Sequence, residues 1–201
     1  MELTFHGKSC VRLKGKEVVV LVEPPRGGDA KGLKADLIVS TTGDSDPVRL
    51  RPTAGEVQCV QGPGEYEVKG VTIYGIPTAT QTVMCIEVDG IRVVACGNAE
   101  AAMGDDDVDR LGHVDVLVVG VSNEDGSPAP KVSRIVNAIE PSYVVPVGFF
   151  VNEGDNLAPI DAVLRDLGVP EGWTPQSKIS LASSAPGDEV KTVILEARPL
   201  T

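Results

Sequence analysis

Two carboxylates lie in a short polar segment that follows a strand-like apolar run. Asp44 and Asp46 belong to the Gly-Asp-Ser-Asp-Pro sequence at 43–47, which Thr42 separates from the run DLIVST at 36–41. With one residue between them, both side chains could face one side of a loop and offer oxygen ligands to Mg²⁺, Ca²⁺ or Mn²⁺. The alternative is that both accept hydrogen bonds from backbone amides of a turn. We favour the turn.

The other candidates for a nucleophile or a metal ligand include Ser9 and the two histidines. Ser9 beside Lys8 has the residue types of a nucleophile with a base, but adjacency in sequence does not supply the geometry. The two histidines are His6, in the first strand-like run, and His113, at a turn before an apolar run. We interpret both as structural residues.

The four cysteines do not have the spacing of a zinc site. They form no C-x-x-C pair and have no histidine close by in sequence. Each falls in or beside a strand-like run, where a free thiol acts as a small apolar side chain. We therefore expect buried, unpaired thiols at Cys10, Cys59, Cys85 and Cys96.

Short β-branched runs dominate the first hundred residues and predict strands. They lie at 2–5, 17–23, 36–41, 71–76, 82–88 and 91–96. Asp89-Gly90 separates the last two runs and is typical of a two-residue hairpin turn. Further reversals are expected at 14–17 and 68–71.

After residue 100 strands alternate with helical patterns. Asp105, Asp106 and Asp107 open a predicted helix that reaches Leu111, where they would interact favourably with the helix dipole. Residues 114–121 form a continuous apolar run, typical of a strand buried on both faces. Residues 131–140 have helical periodicity, a strand is expected after them, and a third helix is expected at 161–167. This order of elements predicts an α/β sandwich with helices outside its sheets.

Length and charge restrict the class of protein. The 201 residues suit one domain over 1–201, and 18 Lys+Arg against 29 Asp+Glu give a net charge of −11. Such a chain repels nucleic acid and anionic lipid surfaces, so neither is an expected partner. The opening sequence MELTFHGKSC lacks the features of a secretion signal, and we predict a cytoplasmic protein.

Several segments, taken in order, resemble the metallo-β-lactamase superfamily. The similarity extends from residue 1 to about residue 198 and is most specific in GPGEYEVKGV and the hairpin after it. It is nearest to the small bacterial branch of zinc-dependent hydrolases that includes ascorbate-6-phosphate lactonase-like enzymes. The resemblance implies a four-layer αββα sandwich with its active site along one sheet edge. The segments that carry it are MELTFHGKSC, LKADLIVSTTGDSDPV, QGPGEYEVKGVTIYGIPT, RVVACGN, LGHVDVLVVGV, IEPSYVVPVGFF and PQSKISLASS.

The positions that hold metal in that family carry other residues here. The family's Thr-His-x-His-x-Asp-His loop aligns with residues 41–47, where Asp46 alone among the metal-ligand positions keeps its family type. The histidines of that loop are replaced by Thr42, Asp44 and Pro47. Further along the chain, Thr80 and Gly148 replace histidines and Asn98 replaces the bridging aspartate. Lys8 replaces a histidine of the opening motif, and Glu23 replaces an aspartate.

These replacements suggest a protein without zinc-activated hydrolysis, because a catalytic zinc normally takes three nitrogen, sulfur or carboxylate ligands and keeps one position for water. The favoured hypothesis is a pseudoenzyme without a zinc cofactor, whose cleft binds a small ligand or a protein partner or whose fold serves as a scaffold. The alternative is a hydrolase with a hard cation on Asp44 and Asp46, with further oxygens from Glu23, Thr42, Thr80 or Asn98. A metal-free enzyme using Ser9 and Lys8 is the third hypothesis.

Two more features are candidates for binding surfaces. Arg49 and Arg51, together with Lys8, could form an anion site, although solvated charges are the favoured interpretation. The apolar run 149–151 would indicate a partner surface if exposed and a core segment if buried. The sequence leaves open whether the chain forms a homo-oligomer.

Overall fold

Two large β-sheets organise the computed structural model. The structure describes residues 1–24, 29–42, 49–52, 55–98, 103–122, 126–127, 129, 132–149, 157–184 and 189–198. Asp44, Asp46, Pro47 and the segment 150–151 therefore lie outside the described residues, as do the side chains of Arg49, Arg51 and Asn98. No helix of the described residues is long and apolar enough to cross a membrane.

The first sheet has six strands in the order β14-β1-β2-β3-β5-β7. The strands β1, β2 and β3 form an antiparallel meander, and β5 and β7 continue the sheet in parallel with β3. A separate parallel pair, β4 with β6, lies in the connections around β5. The bounds are β1 Glu2–Phe5, β2 Val11–Lys14, β3 Val19–Val22, β4 Asp29–Ala35, β5 Leu37–Ser40, β6 Arg49–Pro52, β7 Gln58–Gln61 and β14 Ile179–Ser180.

The second sheet has seven strands in the order β15-β13-β12-β11-β10-β9-β8. Strands β8, β9, β10 and β11 pair antiparallel, and β11, β12, β13 and β15 pair in parallel. The bounds are β8 Gly64–Val68, β9 Val71–Pro77, β10 Thr82–Val88, β11 Ile91–Asn98, β12 Val116–Gly120, β13 Tyr143–Val147 and β15 Lys191–Thr192.

Three helices complete the described elements, with bounds α1 Asp105–Leu111, α2 Val132–Ile139 and α3 Asp161–Asp166. α1 and α2 are the crossovers that join the parallel strands β11, β12 and β13, as parallel pairing requires. α2 contacts both α1 and α3. In the first half, the described parts of the β3–β5 and β5–β7 connections hold β4 and β6 rather than a helix. The αββα sandwich is confirmed, with its described helices in the second half of the chain.

Local predictions are confirmed where the sequence signal was short-range. Asp89 and Gly90 take φ values of 54° and 74°, and the hairpin they join pairs β10 with β11. Lys69 and Gly70 form a second positive-φ turn, between β8 and β9. All five residues of β12 are buried, as the continuous apolar run predicted. The acidic residues at 105–107 form the first turn of α1.

A buried apolar layer joins the two sheets. It includes Leu3, Leu13 and Leu37 from the first sheet and Ile73, Ile86 and Val116 from the second. Phe149 is also buried, with its ring centroid 5.4 Å from that of Phe5. Phe149 of the apolar run 149–151 is therefore a core residue, and the other two residues of the run lie outside the described residues.

Each sheet carries a buried aspartate at the start of a parallel strand. Asp36 precedes β5 and accepts the Val19 N–H at 2.9 Å, while Asp115 precedes β12 and accepts the Arg92 N–H at 2.8 Å. Both carboxylates are almost fully buried, at 2% exposure. They satisfy backbone donors that would otherwise be left unpaired at the strand ends.

Candidate functional site

Six of the predicted site positions have their backbone described, and all six lie at one edge of the sandwich. Glu23 follows β3, Thr42 follows β5 by one residue, Asn98 ends β11 and Gly148 follows β13. The remaining two positions, Lys8 and Thr80, occupy the β1–β2 and β9–β10 turns. Because β3 and β5 are parallel, as are β11 and β13, their carboxyl ends come together. The fold therefore brings these six backbone positions to one edge of the sandwich.

Hydrogen bonds between the two sheets confirm that their ends meet. The Gly148 N–H donates to the Lys8 carbonyl at 2.6 Å, and the Thr82 N–H donates to the Thr41 carbonyl at 2.9 Å. The first bond joins the β13 end to the β1–β2 turn. The second joins the β5 end to the start of β10. We call the region enclosed by these segments the metal-position cleft.

Glu23 is engaged as a backbone partner. It has a positive φ of 51°, and its Oε1 accepts the Thr41 N–H in a short hydrogen bond. This carboxylate thereby anchors the segment that leads to Thr42. It also lies near Cys10, where burial first and the Glu23 charge second raise the pKa of the thiol to about 12.

Gln81 reaches across the cleft to the end of β11. Its Nε2 donates to the Cys96 carbonyl in a short hydrogen bond, and its backbone N–H is 3.2 Å from the Thr78 hydroxyl in the same turn. Gly97 has a φ of 52°, and a Cβ there would collide with Gln81 Oε1 and lie 2.8 Å from Thr41 Oγ1. The backbone thus approaches these polar side chains closely, which glycine permits.

Gln81 and Thr41 are site residues that sequence reasoning missed. Each is the immediate neighbour of a predicted position, Thr80 or Thr42, so their proximity to the site was available from sequence. Their mutual contact was not, because it depends on how the 78–81 turn folds over β5 and β11. Thr80 itself is exposed, and Thr42 is half-buried with its carbonyl accepting the Ser40 hydroxyl at 2.9 Å.

The described side chains of the cleft do not fit a zinc pair. Gly148 has no side-chain donor, the Lys8 amine is a cation at neutral pH, and Thr42 offers a neutral hydroxyl. Gly148 also has a φ of 71°, a conformation that side chains rarely adopt. Among the described residues, no group of three or more His, Cys, Asp or Glu could hold a metal ion.

The histidines lie in separate environments. His6 Nε2 is 3.1 Å from the Thr4 hydroxyl, within the turn region before Cys10. His113 Nε2 is 3.5 Å from the Ser142 hydroxyl and 3.4 Å from Asp115 Oδ1, at the starts of β12 and β13. The Ser142 and Asp115 contacts use the same ring nitrogen, so this trio lacks the arrangement of a nucleophilic triad.

The other nucleophile candidates are Ser9, with Lys8 as its base, and the four cysteines. Ser9 is half-buried, Lys8 is exposed, and no hydrogen bond joins the Ser9 hydroxyl to the Lys8 amine, both of which the structure describes. Cys10, Cys85 and Cys96 are buried free thiols as predicted. The prediction for Cys59 is wrong, because Cys59 is exposed on the edge strand β7, where Val60 is the residue that faces the core.

Comparison with known proteins agrees with this geometry. The family model for the β-lactamase superfamily domain matches residues 2–148. The chain belongs to the metallo-β-lactamase superfamily. No match was found among curated proteins.

Solved structures share the superfamily fold. A candidate Zn-dependent hydrolase of the metallo-β-lactamase superfamily from Thermotoga maritima matches with a TM-score of 0.74 and 21% identity, over 97% of this chain and 98% of that one. An isothiocyanate hydrolase from Delia radicum gut bacteria gives 0.60 and 12%, covering 92% and 100%. A metallo hydrolase from Ignicoccus hospitalis gives 0.55 and 14%, covering 89% and 97%. At these identities the likeness is one of fold.

Proposed function

We propose that this superfamily member is a non-catalytic protein without a zinc cofactor, whose metal-position cleft binds a small ligand or a protein partner. The proposal rests on the side chains of the cleft. A catalytic zinc takes about three protein ligands and one water. Lys8, Thr42, Thr80 and Gly148 supply a cation, two hydroxyls and no side chain at all, and the carboxylate of Glu23 accepts the Thr41 N–H. Such donors do not hold a soft divalent cation strongly enough to ionise bound water.

Direct hydrogen bonds between the cleft segments also support the proposal. The Gly148 N–H on the Lys8 carbonyl, the Gln81 amide on the Cys96 carbonyl and Glu23 on the Thr41 N–H join segments from both sheets. In a metalloprotein the ion contributes much of this cohesion, because metal binding is coupled to folding. Here protein hydrogen bonds supply it.

The metal content of the purified full-length chain tests the proposal. After expression in medium supplemented with zinc, we expect less than about 0.1 zinc per chain by elemental analysis, since the described donors are too weak. Near-stoichiometric zinc, manganese or iron that survives dialysis would overturn the proposal. Zinc that is present in the wild type and lost in Gln81→Ala would also count against it.

Thermal melts distinguish the alternative hydrolase with a hard cation on Asp44 and Asp46. An ion that binds the folded state raises the melting temperature by mass action. We expect no change with millimolar Mg²⁺, Ca²⁺ or Mn²⁺. A rise that disappears in the double variant Asp44→Ala, Asp46→Ala would support the alternative instead. The matched control is Asp105→Ala, Asp106→Ala, which removes two exposed carboxylates from α1.

A further inference from the structure

A second cleft lies on the outer face of the seven-stranded sheet, beside the end of α1. Its volume is about 310 Å³, and its walls come from β8, β9, β10, β11 and α1. It shares no residue with the metal-position cleft. Pockets that hold small molecules begin at about this size.

Strand register sets the floor of this outer cleft. Glu65, Tyr74 and Cys85 lie side by side across β8, β9 and β10. In the next row Glu87 lies opposite Arg92 on β11. Since side chains alternate between sheet faces, all of these residues point away from the buried layer between the sheets. Leu111, at the end of α1, adds an apolar wall.

Two arginines are placed differently within the outer cleft. Arg92 is held in position, because its Nη1 donates to the Leu111 carbonyl at 2.6 Å and its Nη2 contacts Glu87 at 3.1 Å. Arg110 extends from α1 over the Tyr74 ring, with its Cζ 4.6 Å from the ring centroid. A guanidinium stacked on a ring keeps its edge N–H donors available to an anion.

Glu65 and Arg110 have opposite charges and share the same aromatic neighbour, yet neither forms an ion pair with a described residue. Arg110 thus lies over Tyr74, Glu65 is the cross-strand neighbour of Tyr74, and no direct ion pair joins the two charges. A ligand with an ammonium and a carboxylate on neighbouring atoms could contact both. An uncharged side chain of that ligand would lie over Cys85, which is 8% exposed, whereas the Leu111 side chain beside it is almost wholly buried.

We propose that the outer cleft binds a zwitterionic α-amino acid with an uncharged side chain, its carboxylate on Arg110 and its ammonium on Glu65. Arg92 and Glu87 form the rim next to these groups. Arg110 is already stacked on the Tyr74 ring, and the walls of the cleft are strands. Binding therefore orders few further groups, which limits the conformational entropy lost. The proposal is independent of the metal-position cleft, so zinc content has no bearing on it.

Calorimetric titration of the full chain with L-leucine, L-methionine and L-phenylalanine tests the proposal. At least one should bind saturably, with one site per chain. Two matched probes remove one charge each from leucine: 3-methylbutan-1-amine lacks the carboxylate, and N-acetyl-L-leucine lacks the ammonium. Both should bind at least about tenfold more weakly than L-leucine, because each loses a charged hydrogen bond. Failure of all three amino acids to bind, or binding of either probe as tightly as a bound L-leucine, overturns the proposal.

Variants locate the binding. Arg110→Gln and Glu65→Gln change exposed side chains and should leave the melting temperature near that of the wild type while weakening amino-acid binding about tenfold. Arg134→Gln, on an exposed position of α2, is the matched control and should bind as the wild type does. Binding that survives both Arg110→Gln and Glu65→Gln assigns the amino acid to another place and contradicts the proposal.

Discussion

At the scale of single residues, Gly97 lies where three segments of the metal-position cleft meet. A Cβ at this position would collide with Gln81 Oε1 and lie 2.8 Å from Thr41 Oγ1. The close contact follows from the hydrogen bond of Gln81 to the Cys96 carbonyl, and the positive φ lies within the register shift of β11 between Ala95 and Asn98.

We therefore expect Gly97→Ala to lower the free energy of unfolding by about 1–3 kcal/mol through overpacking and backbone strain. Denaturant melts measure the loss. Gly168→Ala is the control for strain alone, because Gly168 has a φ of 69° and open space around its Cα. The double variant Gly97→Ala, Gln81→Ala should lose less free energy of unfolding than the sum of the two single variants, because the clash with the Gln81 side chain is removed. Strict additivity of the two losses would contradict a contact between these positions.

The thiols give a second residue-scale prediction. Burial raises the pKa of Cys96 to about 12 and that of Cys85 to about 11, so both remain protonated at pH 8, where the reactive species is the thiolate. Cys59 is exposed.

We expect one of the four thiols to react rapidly with a disulfide reagent at pH 8 and the others to react after unfolding. Absorbance of the released thiolate measures the count. The fast phase should disappear in Cys59→Ser and persist in Cys85→Ser. Two or more rapid thiols in the wild type would show that the sheets open more readily than their burial indicates.

At the scale of elements, an ion pair between Lys178 and Glu2 joins β14 to β1 at the edge of the six-stranded sheet. Lys178, next to β14, donates to Glu2 of β1 at 2.7 Å. This hydrogen bond is the main cause that lowers the pKa of Glu2 below its ordinary value of 4.5, with burial opposing it. Because the folded-state pKa is lowered, the contribution to stability is present above the unfolded value and is lost as the pH falls through the folded one.

Glu2→Gln should therefore lower the melting temperature at pH 7 by about 1–3 °C, the range expected of an exposed pair. The difference from the wild type should shrink below pH 4.5. Melts from pH 7 to pH 3 measure it. Glu67→Gln, an exposed carboxylate on β8, is the control for the change in net charge. A difference that grows as the pH falls would contradict the pairing.

The same element scale shows why several predictions succeeded. The β10–β11 hairpin, the buried strand β12 and the helix α2 each depend on residues close in sequence. A turn dipeptide or the spacing of apolar residues is therefore enough to predict them. The prediction of helices outside both sheets depended in addition on how distant segments pair. In the first half, the described connections contain β4 and β6, whose pairing joins segments about twenty residues apart.

At the scale of the whole molecule, charge is the dominant global property. With a net charge of −11, the folded chain repels itself, and this repulsion weakens as salt screens it. We expect the melting temperature to be higher in about 200 mM than in about 20 mM sodium chloride, because the added salt shortens the screening length several-fold. Differential scanning calorimetry measures the shift. A fall would mean that ion pairs such as Lys69 with Asp36 outweigh the repulsion.

The sequence by itself determined the superfamily and the local turns, and it predicted that Thr42, Thr80 and Gly148 stand where the family has imidazoles, because residue type and short spacing are properties of the chain before it folds. The tertiary structure decided that Cys59 faces outward, that Gln81 reaches Cys96, and that Arg110 stacks on Tyr74 beside Glu65. Each of these depends on strand register, on edge position or on the packing of a helix over a sheet. Such relations join residues that are distant in sequence, and a local pattern carries no record of them.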